Sequence, residues 1–416
     1  MLAVLRRRNY GLLWTAQLIS MIGDWAIFAA LPFYIYRLTG SVMATGIMFM
    51  IQVVPPLVFG SFAGVFVDRW DRRWTMIGSS LFRGAVLLFL LGVQSADMVW
   101  LVYLAGFLES TASQFFGPAN NALLPTLVDE DQLITANSLD SLGENSARLI
   151  GPALGGVLLA AIGLRGVIIF DVGTYLLAAI LMYMIQVPAS EVAAGAADEG
   201  SAGSALSSFV AEFVAGLKLV AGKPALSRIF LVFAIGALGD SILTVLLVAF
   251  IQDVVGVGSA EFGLLLTARG LAGILGGIVV GAFGSKFKPE HLIPFGLIFT
   301  GVAIVAMVVW PIFTISLLIM ILLSVPLMAW LISGQTWVQT HAPREYLGRV
   351  FGVYGTLSAL LMLIGMAFAS GLGDSLGISN TLYVGGGIYI LSGLLAAVLL
   401  PGVASTVEEP AAQPRS

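Results

Sequence analysis

Residues 64–73 read Gly64-Val65-Phe66-Val67-Asp68-Arg69-Trp70-Asp71-Arg72-Arg73. Five of the last six positions carry charge, yet the blocks on either side, 43–67 and 74–96, are almost wholly apolar. Each block is long enough for the ~20-residue helix that crosses a bilayer. The charge cluster therefore reads as a turn at a membrane surface, where the chain leaves lipid and re-enters it. Outward from this turn the pattern repeats. Apolar runs fall at 11–37, 43–67, 74–96, 98–123, 136–163, 166–187, 225–251, 259–284, 291–310, 312–340, 344–371 and 379–400.

Composition supports the same class. Of 416 residues, 10% are charged and 59% hydrophobic, against about 25% charged in soluble domains. Mean hydropathy is +1.01. A soluble globule of this size would have almost nothing polar left for its surface. A soluble enzyme, a nucleic-acid binder and a disordered scaffold are excluded. So is a transmembrane barrel, which shows short alternating segments. The expected fold is an all-α polytopic membrane protein, because helices satisfy their own backbone groups in lipid. No cysteine is present, so disulfides, thiolate metal sites and cysteine nucleophiles are ruled out. The apolar run from Gly11 extends past the length of a signal peptide's core and reads as an uncleaved first span.

Twelve spans place both termini on one side. Of the 19 basic residues, fourteen lie on that side: Arg6, Arg7, Arg8, Arg69, Arg72, Arg73, Lys218, Lys223, Arg228, Lys286, Lys288, Arg344, Arg349 and Arg415. Only Arg37 and Arg165 lie opposite, while Arg83, Arg148 and Arg269 fall inside spans. Basic residues concentrate in cytoplasmic loops, so both termini are expected in the cytoplasm, with the chain in the inner (plasma) membrane.

The two halves echo each other. Gly23-Asp24 sits in span one and Gly239-Asp240 in span seven, 216 residues later; Gly64 and Gly281 close spans two and eight, 217 residues apart. Six plus six duplicated spans suggest two bundles about a pseudo-twofold axis, a transporter architecture. The expected organisation is 1–187 as the first six-helix bundle, 188–224 as a cytoplasmic linker, 225–400 as the second bundle and 401–416 as a tail. Within the linker, Leu206, Phe209, Val210, Phe213, Leu217 and Val220 recur at helical spacing. They predict an amphipathic helix, lying either on the inner leaflet or against the protein.

The loop after span two resembles the G-x-x-x-D-R-x-x-R-R signature of the major facilitator superfamily, here Gly64, Asp68, Arg69, Arg72 and Arg73. Gly151-Pro152-Ala153-Leu154-Gly155-Gly156 on span five resembles that superfamily's antiporter motif, with Ala147 where the leading glycine usually stands. Gly23-Asp24 and Arg148 further resemble the branch of macrolide and drug efflux proteins and the enterobactin exporter. The resemblance implies the twelve-helix, two-bundle fold and a cavity lined by spans one, four, seven and ten. The basic residue that many proton antiporters carry on span four is absent; Glu109 is there instead.

Independently of the name, Asp68 can accept hydrogen bonds while Arg69, Arg72 and Arg73 pair with carboxylates on another helix, a latch made in one state and broken in the other. Basic residues that only fix topology are the simpler alternative. The Gly151, Gly155 and Gly156 face allows close helix approach.

A charge at a helix centre costs ~2.5–3.5 kcal/mol on insertion scales. Six such groups lie near mid-depth: Asp24, Glu109 and Asp240 among the acids, Arg83, Arg148 and Arg269 among the bases. The acids are candidates for proton exchange or substrate contact, with pairing to the bases as the alternative. Span ten adds Trp330, Gln335, Thr336, Trp337 and Gln339, suited to a bulky amphipathic or cationic solute. Asp140 and Asp171 lie near span ends, Glu144 lies one turn from Arg148, and His291 and His341 have no partner motif; these are set aside. No metal spacing or nucleotide loop is present, so no cofactor is expected. The energy source expected is an ion gradient, worth ~2.3 kcal/mol per charge at 100 mV.

The expected function is a monomeric secondary active exporter, coupled to protons, that moves a hydrophobic or amphipathic small molecule by alternating access. Rivals are a siderophore exporter, a lysophospholipid flippase, a membrane-bound transferase and a non-transporting sensor or scaffold.

Overall fold

The computed structural model describes residues 2–67, 69–186 and 202–401. They form helices and no strand. Each sequence-predicted span has its helix: α1 Arg8–Thr39, α2 Val42–Val67, α3 Arg72–Leu87 with a 3-10 extension to Gly92, and α4 Val99–Leu127. The long segment Leu133–Tyr183 breaks at Gly163 (φ 70°, ψ −177°), which divides it into α5 before the break and α6 after it. Only glycine adopts that backbone conformation readily. The second half continues with α7 Pro224–Ala249, α8 Ser259–Phe283, α9 Pro289–Val309, α10 Phe313–His341, α11 Leu347–Leu376 and α12 Ile378–Leu399.

Ten helical segments among the described residues are long and apolar enough to cross a membrane, the bent α5–α6 pair being one of them. Only α4 falls outside this set. It interrupts its apolar run with Glu109, Ser110, Thr111, Ser113, Gln114, Asn120 and Asn121. A spanning helix that polar must turn that face toward protein or water.

The chain forms two compact units, Met1–Ala205 with Leu247–Gly270, and Leu206–Leu246 with Leu271–Ser416. In the first, α1 packs against α5 and α6, and α4 against α2 and α3. Between helices in lipid, attraction comes largely from close packing, and glycines supply it here. A β-carbon at Gly155 would lie 2.1 Å from the Ala26 carbonyl oxygen, and one at Gly151 2.3 Å from the Trp25 Cβ. Gly156 faces the start of α8, where a β-carbon would lie 2.3 Å from the Ser259 carbonyl oxygen. The Ser259 hydroxyl donates to the Gly156 carbonyl at 3.1 Å. The end of α7 continues as a π-helical turn, Phe250–Val255. There Gln252 donates to the Phe33 carbonyl at 2.7 Å, and the Tyr36 hydroxyl donates to Asp253 at 2.5 Å.

In the second unit α9 packs against α10 and α12, again through glycine: β-carbons at Gly296 and Gly301 would lie 2.4 and 2.5 Å from the Pro326 and Gly386 carbonyl oxygens. The expected linker helix spans Ala202–Gly222. It packs on α11, with Gly216 against the Arg349 carbonyl and Val353, and with Val220 buried. The side chains of Leu206, Phe209 and Val210, most of the stretch before them, and the tail from 402 lie outside the described residues.

Candidate functional site

The site is built on four helices of the first unit. Mid-way along α1, Gly23 and Asp24 face α6. Gly23 leaves no room for a side chain, because a β-carbon would lie 2.0 Å from Asp171 Oδ1 and 2.4 Å from Thr174 Oγ1. This close approach brings Tyr175, one turn after Asp171, onto Asp24, and its hydroxyl donates to Asp24 Oδ1. From α3, Arg83 Nη2 donates to the same oxygen at 2.9 Å. Arg83 also donates to Glu109 Oε1 of α4, through Nε at 2.8 Å and Nη2 at 2.5 Å. The Tyr175 hydroxyl is 3.4 Å from Glu109 Oε1, and the guanidinium lies 4.6 Å from the centroid of the Tyr175 ring.

The Arg83 side chain is 9% exposed, while those of Asp24 and Glu109 are 30% and 24% exposed. The cation is thus enclosed and the two carboxylates open on one side. They open onto a cavity of about 220 Å³ whose wall includes Trp25, Phe28, Leu31, Gln52, Leu87 and Leu90. Behind the cluster, Asp171 is fully buried. Its Oδ1 accepts the Thr174 hydroxyl at 3.0 Å, and its Oδ2 has no partner among the described residues.

Of the six mid-depth charges, Asp24, Arg83 and Glu109 come together. Arg148 does not join them. It bonds Glu144 at 3.0 Å, one turn away, and its guanidinium lies 5.1 Å from the Trp25 ring centroid. The balance of three acids by three bases is therefore replaced by one shared cation, because a helix turn brings Glu144 to Arg148 before any acid on another helix can reach it. Arg269 lies half-buried on α8. Asp240 lies in the second unit, where it accepts the Tyr389 hydroxyl of α12 at 3.1 Å.

Two expected cavity residues are packing residues instead. Trp337 is buried, its indole N–H donates to the Ala225 carbonyl at 3.0 Å, and its ring stacks on His341. Trp330 is buried against Phe233, with ring centroids 5.4 Å apart. An aromatic ring that large fills a gap between helices as readily as it lines a cavity. Thr336 returns its hydroxyl to the Ile332 carbonyl at 2.9 Å, and Gln335 and Gln339 are exposed.

The basic loop also differs from expectation. Arg72 and Arg73 bind main-chain carbonyls rather than carboxylates. Arg72 donates to Ala122 at 3.1 Å, and Arg73 to Met182 at 3.1 Å and to Tyr183. The last carbonyls of a helix are unpaired and carry the negative end of its dipole, so Arg73 serves as a side-chain cap for α6. Asp71 caps α3 by accepting the Trp74 N–H at 2.9 Å. Asp68 lies outside the described residues, Arg69 is exposed, and a β-carbon at Gly64 would meet nothing within 4 Å among the described residues. Pro152 stands where expected, buried between the close-packed glycines of α5.

Asp171 and Tyr175 are the members of the cluster that sequence reading passes over. Their signal is local: Asp171-x-x-Thr174-Tyr175 puts carboxyl, hydroxyl and phenol within one turn of an otherwise apolar helix.

The Major Facilitator Superfamily profile matches residues 13–366 and again 229–415. Macrolide efflux protein A of Streptococcus pyogenes is 25% identical over 395 residues, covering 93% of this chain and 95% of the relative. Multidrug efflux pump Tap of Mycolicibacterium fortuitum is 24% identical over 403 residues, with 92% and 94% covered. Among solved structures, a bacterial homologue of the iron transporter ferroportin in its inward-facing state superposes with a TM-score of 0.76 at 16% identity, over 94% of this chain and 98% of that one. A bacterial homologue of the human lysosomal transporter Spinster gives 0.73 at 16% identity, over 98% and 99%. With its helices and glycine-packed α5 each in the expected place, the chain belongs to the Major Facilitator Superfamily and is a multi-pass membrane transporter of small molecules.

Proposed function

We propose that the protein is a proton-coupled exporter of an amphipathic small molecule of the macrolide or multidrug type, with both termini in the cytoplasm. The observation that carries this reading is the sharing of Arg83 between Asp24 and Glu109 at the wall of a largely apolar cavity. Arg83 can balance one carboxylate. A second negative charge in a low-dielectric site is unfavourable unless a proton or a cationic solute accompanies it. A proton and a cationic or hydrogen-bonding group of the solute therefore compete for the same two carboxylates. Such competition is what antiport requires: loading one partner displaces the other, and each biases the alternation between states by its differential affinity. The apolar wall supplies the remaining contacts for a bulky solute. The efflux relatives support the outward direction, and the positive-inside asymmetry of the loops supports the cytoplasmic termini.

The test is efflux of a macrolide from energised membrane vesicles with and without a protonophore. Efflux should stop when the gradient collapses; unchanged efflux would refute proton coupling. A drug-susceptibility panel on a host expressing the intact chain or Asp24→Asn then identifies the solute class, because only transported compounds lose their resistance in the variant.

A further inference from the structure

A second cavity, of about 240 Å³, opens where α1, α3 and α5 end away from the basic loop, and Asp24, Arg83 and Glu109 take no part in it. Leu90, Val93 and Leu164 are buried and form its apolar floor; Gln94 and Arg165 are exposed, and Tyr34 half-buried, at its rim. The Tyr34 hydroxyl donates to the Val93 carbonyl at 3.2 Å, which fastens α1 to the end of α3. Arg37, one turn after Tyr34, holds its guanidinium 5.9 Å from the centroid of that ring. The two basic residues that the sequence places on this side of the membrane thus belong to one cavity.

Its depth follows from helix length. Gln94 lies 22 residues beyond Arg72, about 33 Å along a helix. The hydrocarbon layer is ~30 Å thick, so the rim stands at headgroup level on the side opposite the basic loop. From the rim toward the middle of the membrane the surface is apolar: Leu88 and Phe89 of α3, and Ile169 one turn along α6 from Arg165, are all exposed. A ligand that fits both parts has a polar end at the rim and an apolar end on these side chains.

Charge and size narrow the ligand further. The wall contains no acidic side chain, and among the described residues no salt bridge holds Arg37 or Arg165. Guanidinium forks match phosphate oxygens. An ammonium or choline group finds no carboxylate in this wall, and the Tyr34 ring that could receive it already has Arg37 beside it. The volume is below the roughly 300–1,000 Å³ of sites for drug-sized solutes, so a small polar group enters and a long apolar one stays outside.

We propose that this cavity binds the headgroup of an anionic phospholipid in the leaflet opposite the basic loop. Arg165 meets the phosphate, Gln94 hydrogen-bonds the neighbouring glycerol oxygens, Arg37 adds its charge, and the acyl chains run along Phe89 and Ile169.

The test places the full chain in phosphatidylcholine nanodiscs doped with a photoactivatable phosphatidylglycerol, or with a phosphatidylcholine carrying the same diazirine at the top of one acyl chain. Cross-links are located by peptide mass spectrometry. Segments 88–94 and 162–169 should capture phosphatidylglycerol about fivefold over phosphatidylcholine, the factor expected for one arginine at an anionic surface. Arg165→Gln should bring that ratio to about one, with the ratio at the basic loop 69–73 and the melting temperature as in the parent chain. Equal capture of the two lipids by the parent chain, or an excess that persists in Arg165→Gln, would overturn the proposal. The excess should also survive millimolar inorganic phosphate, since the acyl chains hold the lipid in place; its collapse would assign the cavity to free phosphate instead. The measurement needs neither solute nor gradient, so failure of the transport reading would leave its result unchanged.

Discussion

The two halves of the chain carry the same clamp and use it differently. In the first unit Asp24 of α1 accepts a hydrogen bond from Tyr175 of α6; in the second, Asp240 of α7 accepts one from Tyr389 of α12. The aspartates are 216 residues apart and the tyrosines 214, so the glycine–aspartate repeat extends to the phenol that meets it. Around this common pair the halves diverge. The position 214 after Asp171 is Gly385, and the position 217 after Arg83 is Thr300, a buried residue on α9. Under Gly23 lie a carboxyl and a hydroxyl, whereas under Gly239 lies the Tyr389 ring, 2.7 Å from where a β-carbon would stand. The clamp is thus a helix-packing device shared by both halves. The guanidinium and the additional carboxyls make a chemical site of it in the first half.

If that division is right, Arg83→Leu has the largest effect. It strands Asp24 and Glu109 without their cation, which costs about 3 kcal/mol for a largely enclosed pair. A lowered melting temperature in detergent and loss of transport are expected; wild-type melting would deny Arg83 its role. Asp24→Asn keeps the shape and removes the charge, so transport should fall about tenfold with melting nearly unchanged. Asp240→Asn, whose side-chain oxygen can still accept the Tyr389 hydroxyl, should retain roughly half the activity in the same assay. Equal loss in the two variants would break the comparison. Glycine substitutions sharpen it on the packing side. Gly155→Ala drives a methyl group onto the Ala26 carbonyl and should cost about 1–3 kcal/mol, visible as reduced folded yield. Gly64→Ala meets nothing within 4 Å among the described residues and should be neutral.

The smallest effect is expected at the exposed Arg7–Asp129 pair. The hydrogen bond from Arg7 holds the Asp129 carboxyl below its usual range. A depressed carboxyl contributes its stabilisation above the unfolded value and loses it as pH falls through the folded one, hence below about pH 4. Arg7→Gln should leave melting at neutral pH unchanged, since exposed pairs contribute little. A clear drop at neutral pH would show that this pair does more than its exposure implies.

Much of this was legible in the residues. The twelve spans and the α5 glycine face follow from runs and spacings along one helix, and each has its counterpart in the structure. Of the site, Asp24, Arg83 and Glu109 could be singled out because charge is rare in lipid. The basic loop was legible as charge but not in its bonds: Arg72 and Arg73 meet carbonyls of α4 and α6, which no local pattern announces. Asp171 and Tyr175 were hidden for the same reason, since their importance arises only against Gly23 of another helix.

The order of residues alone determined that this chain lives in a membrane, in twelve helices made of two related halves, because hydrophobic length and charge placement act through water and lipid, which every sequence meets. Only the tertiary structure decided that Arg83 joins Asp24 to Glu109 while Arg148 turns to Glu144. Side chains on separate helices choose partners by interhelical distance, and that distance is set by how closely glycine lets two backbones approach.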